Sequence, residues 1–226
     1  MCETGGRSLP PGFETFIQNI ATNRVPDSTV EVTLKEGESR PLTAGEIALA
    51  KLVFKDSINY ALVKIHRGGL FGQPTKTGIA MTPNGEIYMP NTENGYKPDF
   101  STERERDKVW LIHELTHVWQ YQLGYDVKFY AMDIKLRGGY DGAAPAYHYD
   151  LEGEDTGKVI EQFNMEQQGQ LIAHYFDAVY LEGTKRKGHA DSLKRLPKLR
   201  FTLSSFLENP KNPALLPTTT GKIHWQ

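Results

Sequence analysis

Apolar residues recur along this chain with two different periods. Over residues 29–34, Thr-Val-Glu-Val-Thr-Leu, they alternate with polar ones, as in a half-buried strand. From Thr43 the period lengthens. Thr43-Ala44-Gly45-Glu46 opens a helix that runs to about Phe54 and buries Ile47, Leu49, Ala50 and Val53. Residues 62–66 again read as a strand. Residues 79–89 read as a hairpin around Asn84-Gly85, a strong turn dipeptide, and Pro83 beside the turn marks an edge. Next comes an apolar stretch free of Gly and Pro, Val109 to Trp119. Its predicted start is a capping box of Thr102 and Glu105, with Ser101 as the alternative cap, and its stop is Gly124. Residues 138–157 are rich in Gly and Tyr and read as irregular. Residues 158–181 read as one long helix with Val159, Phe163, Leu171, Tyr175, Phe176 and Val179 inward. Residues 192–207 predict a further helix, bent or interrupted at Pro197.

Strands followed by helices predict an α+β domain over residues 29–207. Residues 1–28 read as a loose leader. Residues 208–226, with Pro210, Pro213 and Pro217, read as an extended tail that packs little. There is no internal repeat.

Composition narrows the function. A length of 226 residues, 38% hydrophobic and 24% charged, fits one soluble globular domain. A formal net charge of −2 gives no electrostatic case for nucleic acid or for an anionic membrane. No apolar run approaches the ~20 residues of a membrane span. With Cys2 as the one cysteine, no intrachain disulfide forms. The first residues lack the basic-then-apolar pattern of a signal peptide, so work outside the producing cell calls for another export route.

The chemistry lies in the apolar stretch, where His113-Glu114-Leu115-Thr116-His117 reads H-E-x-x-H. A helix turns about 100° per residue, so both imidazoles share a face and can hold one zinc ion. Glu114, beside the first ligand, is placed to act as general base toward water on that ion. The plainer alternative is a buried helix with two satisfied histidines. A catalytic zinc site needs a third protein ligand and an open position. A His six residues after His117 would extend the motif, but Leu123 stands there. The third ligand is therefore expected on the later helix. Glu166 leads, because Asn164-Met165-Glu166-Gln167-Gln168 is oddly polar for a core segment; Glu161 and His174 are the alternatives. Tyr147 and Tyr149, in the irregular segment, are candidates to steady the oxyanion of a tetrahedral intermediate, as is His148. His66 reads as structural. Residues 86–89 are the candidate edge strand for an extended substrate.

Several stretches occur together in a fixed order: Thr43-Ala44-Gly45-Glu46, Val63-Lys64-Ile65-His66, Ala80-Met81-Thr82-Pro83-Asn84-Gly85-Glu86-Ile87-Tyr88, the H-E-x-x-H with Val118-Trp119-Gln120, and Asn164-Met165-Glu166-Gln167-Gln168. This set resembles the zincin-like metallopeptidase toxins of the bacterial type VI secretion system, which occur as Vgr-related proteins or as C-terminal extensions of the VgrG spike. The resemblance spans about residues 43–181. It implies a zincin-like fold with a small mixed sheet, an active-site helix and a second helix bearing a ligand. It implies zinc on His113, His117 and Glu166 with Glu114 as base, a peptide or protein substrate, and antibacterial use in the periplasm of a rival cell. A spike or adaptor and a cognate immunity protein are the implied partners. The sequence departs from related zincins at Gln170, where an Asp often supports a motif His. It also carries no spike domain, so a separate carrier is expected. A non-catalytic binding module on the same fold and a housekeeping cytoplasmic peptidase are the rival readings.

Overall fold

The computed structural model describes residues 34–68, 70, 78–181 and 185–220, all within one compact unit, Leu34–Gln226. The expected leader lies outside the described residues, as does the expected strand over 29–34 except Leu34.

Helix α1 (Ala44–Phe54) starts where the sequence places it. The Glu46 amide donates to the Thr43 hydroxyl at 3.1 Å, and the Thr43 amide donates to the Glu46 carboxylate at 2.9 Å, which completes a capping box. Glu46 is fully buried, and Arg40 donates to both its carboxylate oxygens at 2.7 and 2.8 Å. A buried charge without such a partner would be strongly destabilising.

Among the described residues, strands β1 (Ser39–Pro41), β2 (Lys64–Arg67) and β3 (Ile87–Met89) form a sheet in the order β1-β2-β3. β1 pairs antiparallel with β2, and β2 parallel with β3. The strand predicted at 62 begins at Lys64 because Tyr60–Leu62 forms a 3-10 turn. The predicted hairpin is reduced to one antiparallel bridge, Met81 to Tyr88, with hydrogen bonds of 2.9 and 3.1 Å. Pro83 has no amide hydrogen to extend that ladder. Gly85 turns the chain with a φ of +78°, and a Cβ there would lie 2.5 Å from Tyr121 Cδ1. The turn therefore rests directly on the next helix.

That helix, α2 (Glu105–Gln122), runs through the core: Leu111 through Gln120 are all buried. Its start differs from the expected capping box. The Thr102 hydroxyl donates to Asp99 O at 3.0 Å within a 3-10 turn, and Arg104 precedes the helix without a side-chain cap. Its end follows the sequence. Gly124 adopts φ +98°, the Gly124 amide donates to Tyr121 O and the Tyr125 amide to Gln120 O, a Schellman closure. Helix α3 (Val127–Leu136) was not predicted; Asp126 caps it by accepting from the Phe129 amide at 3.0 Å.

The long helix expected over 158–181 is divided. A 3-10 turn spans Ile160–Gln162, and helix α4 (Met165–Tyr180) begins only after Asn164. Asn164 accepts from the Gln167 amide at 2.9 Å, and Gln167 Oε1 accepts from the Asn164 amide at 3.1 Å. This reciprocal cap fixes the boundary. Helix α5 (Lys187–Thr202) starts five residues before its predicted start at 192, keeps Pro197 inside, and gives way at Leu203 to the short α6 (Ser204–Glu208). Helix α4 packs between α2 and α5. Trp119 and Phe54 meet Phe206 edge-on at 5.3 and 5.9 Å in the core.

The tail does not stay extended as expected. Residues 209–218 lie back on the core, Pro213–Leu215 form a 3-10 turn, and Leu215 is buried. Pro213, which sets the first φ, starts the turn, and tail carbonyls satisfy buried donors from α2 and α4. No described helix is long and apolar enough to cross a membrane.

Candidate metal centre

Helix periodicity places His113 and His117 one turn apart on the side of α2 that faces α4. Glu166 meets them from the first turn of α4, where the helix dipole favours a carboxylate. His113 Nε2 lies 3.1 Å from Glu166 Oε2, His117 Nε2 lies 3.2 Å from the same oxygen, and the two Nε2 atoms are 3.2 Å apart. All three residues are buried. They are the group of three His, Cys, Asp or Glu side chains found converging among the described residues. Zinc bonds of about 2.0–2.1 Å at tetrahedral angles set ligand atoms roughly 3.3 Å apart, so the triangle fits a zinc-sized ion. Two neutral imidazole lone pairs facing each other at this range repel. The arrangement therefore calls for a shared proton or a cation.

Hydrogen bonds orient His117 and Glu166, whereas His113, whose buried Nδ1 has no hydrogen-bond partner, is confined by packing. His117 Nδ1 lies 2.8 Å from Gln120 Oε1, which can only accept, so Nδ1 carries the proton and Nε2 faces the triangle. Tyr140 donates to Glu166 Oε1 at 2.7 Å and leaves Oε2 for the centre. Beside His113 stands Gly169, where a Cβ would lie 2.6 Å from Cε1 and 2.7 Å from Nδ1 of the ring. Only glycine lets α4 approach that closely. Burial pushes the Glu166 carboxyl up, but the charge of His117 and the hydrogen bonds of both histidines outweigh it and hold it far below the usual carboxylate range. For His117, burial alone would lower the pKa; the Glu166 carboxylate prevails and raises it to about 9.

Glu114 is buried beside the triangle and held at both oxygens. Thr82 donates to Oε2 at 2.7 Å and Trp110 Nε1 donates to Oε1 at 3.2 Å. Thr82 comes from the Met-Thr-Pro-Asn-Gly segment, which thus borders the site. Met81 bridges Tyr88, so this segment lies along β3, the candidate substrate strand over residues 86–89.

The structure separates the two candidate tyrosines. The Tyr147 ring stands 5.8 Å from the rings of both His113 and Tyr140. Burial, with the charges of Glu166 and Glu114, raises its pKa far above the usual tyrosine value, so it stays a neutral donor. The Tyr149 hydroxyl is instead 2.7 Å from His174 Nδ1, and Arg195 stacks over its ring at 5.7 Å. Burial first, then Arg195, lowers the His174 pKa to about 4, so that ring is neutral at neutral pH. Tyr147, Tyr149, His174 and Gln170 line a cleft of about 610 Å³ with the exposed His148. Neither Glu161 nor His174 joins the triangle. Glu161 sits on the 3-10 turn before α4, and Gln170 lines the cleft, while His113 Nδ1 is left without a hydrogen-bond partner and His117 Nδ1 pairs with Gln120. His66 pairs with Glu86 at 2.7 Å and stacks on Tyr88, a structural arrangement.

Sequence reasoning missed Thr82, Trp110, Gln120, Tyr140 and Gly169. Trp110 and Gln120 sit on the motif helix within one turn of Glu114 and His117, so spacing alone nominates them. Nothing local in the sequence signals the other three.

No protein-family model matches the chain. The spike protein VgrG2b of the Pseudomonas aeruginosa type VI secretion system is 37% identical over 142 residues, which cover 61% of this chain. The match spans 13% of that relative's length. The solved effector domain of Pseudomonas aeruginosa VgrG2b is similar in structure, with a TM-score of 0.56 and 30% identity over 82% of this chain and 93% of that one. Because the correspondence takes in nearly the whole of that domain, the chain belongs to the VgrG2b family of type VI secretion effector domains.

Proposed function

We propose that the chain is a zinc-dependent metallopeptidase, or amide hydrolase, that acts as a secreted antibacterial effector. The observation that carries this reading is the buried triangle of His113, His117 and Glu166, with Glu114 beside it on the same helix. When bound, zinc supplies a Lewis acid and brings the pKa of its water to about 7. Glu114, oriented by Thr82 and Trp110, takes the proton of the attacking water and returns it to the leaving amine. Tyr147 donates to the carbonyl oxygen as charge builds there, and the cleft along α4 receives the chain on one side of the scissile bond. Tyr149 shapes that cleft through His174. Family membership supports carriage by a secretion spike or adaptor. Delivery to the periplasm of a target bacterium, a peptide or protein substrate and a neutralising immunity protein complete the proposal.

Zinc titration of metal-free protein tests this reading. One ion should bind per chain and switch on amide hydrolysis. With the His117 pKa raised to about 9, the site holds a proton at pH 7 that zinc must displace. Calorimetry in buffers of different ionisation enthalpy should show close to one proton released. Apparent affinity should rise about tenfold per pH unit up to about pH 9 and then flatten. Tight zinc binding without hydrolysis of any peptide or protein would favour a non-catalytic module instead.

Gly169→Ala gives a narrower expectation. The added methyl overlaps the His113 ring and must displace it. Zinc affinity should fall at least 10-fold, by analogy with the loss of ligand-orienting contacts, while the far-UV circular dichroism stays that of the parent. Unchanged affinity would show that α4 yields without moving His113.

A further inference from the structure

We propose that Gln120 and Gln168 are positioning residues for His117, and that the C-terminal segment 209–218 is part of the metal centre through them. The affinity readout of this inference rests on the zinc reading above; its geometry does not.

The chain of contacts is continuous and every polar group in it has its role fixed. Gln168 Nε2 donates to Ile160 O and to Leu215 O, each at 2.9 Å. Carbonyl oxygens only accept, so the Gln168 amide cannot be turned round, and its Oε1 must face Gln120. Gln120 Nε2 donates to that oxygen at 2.9 Å and to Met165 O at 3.1 Å. This fixes the second amide in turn, with its Oε1 2.8 Å from His117 Nδ1. An oxygen at that place selects the Nδ1–H tautomer and leaves Nε2 for the triangle. Both glutamines are wholly buried, where an unmet donor or acceptor is strongly unfavourable. The orientation is therefore set from the tail inward, from Leu215 O to His117 Nε2.

Two further bonds hold the segment to the ligand-bearing region. Trp119 Nε1, one residue before Gln120, donates to Pro210 O at 2.6 Å. The amide and hydroxyl of Thr218 donate to Glu161 O at 2.9 and 2.8 Å. The segment thus ties α2 to the 3-10 turn that precedes α4.

The test uses the full chain and near-isosteric changes. Gln120→Met removes the acceptor for Nδ1–H, and zinc affinity, read by competition with a chromophoric chelator, should fall 10–100-fold. Gln168→Met breaks the link to Leu215 O and should weaken zinc by about tenfold. By reciprocity, zinc should slow amide hydrogen exchange at Leu215, Leu216 and Thr218 in the parent and do so far less in either Met variant. A metal-free arm is independent of zinc. In ¹⁵N-histidine spectra the parent should show a downfield-shifted, exchange-protected Nδ1–H on His117, and Gln120→Met should lose the downfield shift and the protection. If a Met variant fails to fold, the parent's Nδ1–H signal and the zinc effect on tail exchange still decide. Parent protein that shows the Nδ1–H bond but takes up no zinc sinks the zinc reading and supports the positioning claim. Absence of that bond, or Met variants within twofold of the parent's zinc affinity, overturns the inference.

Discussion

Glu114→Gln is expected to retain one zinc per chain, keep the parent's melting temperature within a few degrees, and lower amide hydrolysis by about 10²–10⁴-fold. Glu114 is not among the three converging ligand groups, so the metal should stay. Gln keeps an oxygen for the Thr82 or Trp110 donor and nearly the same volume, so the local packing survives. What it loses is the basicity needed to take a proton from water. Glu114→Ala should show the same catalytic loss with a further stability cost of about 1–3 kcal/mol where water fails to reach the two abandoned donors. The same variants should abolish growth or shape defects seen when the parent is sent to the periplasm of a susceptible bacterium by an added signal peptide. Little harm is expected from cytoplasmic expression. An unchanged hydrolysis rate in Glu114→Gln would remove Glu114 from the chemistry.

Removing a ligand should have the larger effect on the metal itself. His113→Ala, His117→Ala and Glu166→Gln should each weaken zinc by well over the 10–100-fold that follows loss of a supporting hydrogen bond. Glu161→Gln should stay close to the parent, because Glu161 is on the 3-10 turn outside the triangle. Glu166→Gln is the most telling of these. It removes the charge that holds the His117 pKa up, so the metal-free variant should also lose the raised value of about 9 and bind zinc with a flatter pH dependence. Equilibrium dialysis across pH measures both. A Glu161 variant that loses more zinc than the Glu166 variant would reverse the ligand assignment.

How far the sequence went follows from the range of each signal. The α1 cap, the period of α2 and its stop at Gly124 are written within a few residues of one another, and the structure has all three. The juxtaposition of His113, His117 and Glu166 was legible because H-E-x-x-H restricts the third group to a few polar positions on a later helix. The start of α4 was misplaced although Asn164-x-x-Gln167 is a short-range cap signal; the preceding apolar residues mimic helix continuation. Other features had no local trace. Thr82 reaches Glu114 from a segment 32 residues away, and Tyr140 reaches Glu166 from a Gly-rich stretch that carries no period. The tail reads as polar and proline-rich, yet its backbone carbonyls, which every sequence has, are what α2 and α4 need. Tyr147 and Tyr149, two residues apart, face different surroundings once the chain bends between a 3-10 turn and the cleft.

The central claim is a zinc ion held by these three side chains. The most direct measurement is anomalous scattering above and below the zinc edge from crystals of protein grown with zinc. The account predicts one strong difference peak within about 2.0–2.2 Å of His113 Nε2, His117 Nε2 and a Glu166 carboxylate oxygen, with a position left open toward Glu114. A zinc-supplemented crystal with no peak there, or with its ion on other residues, would contradict it.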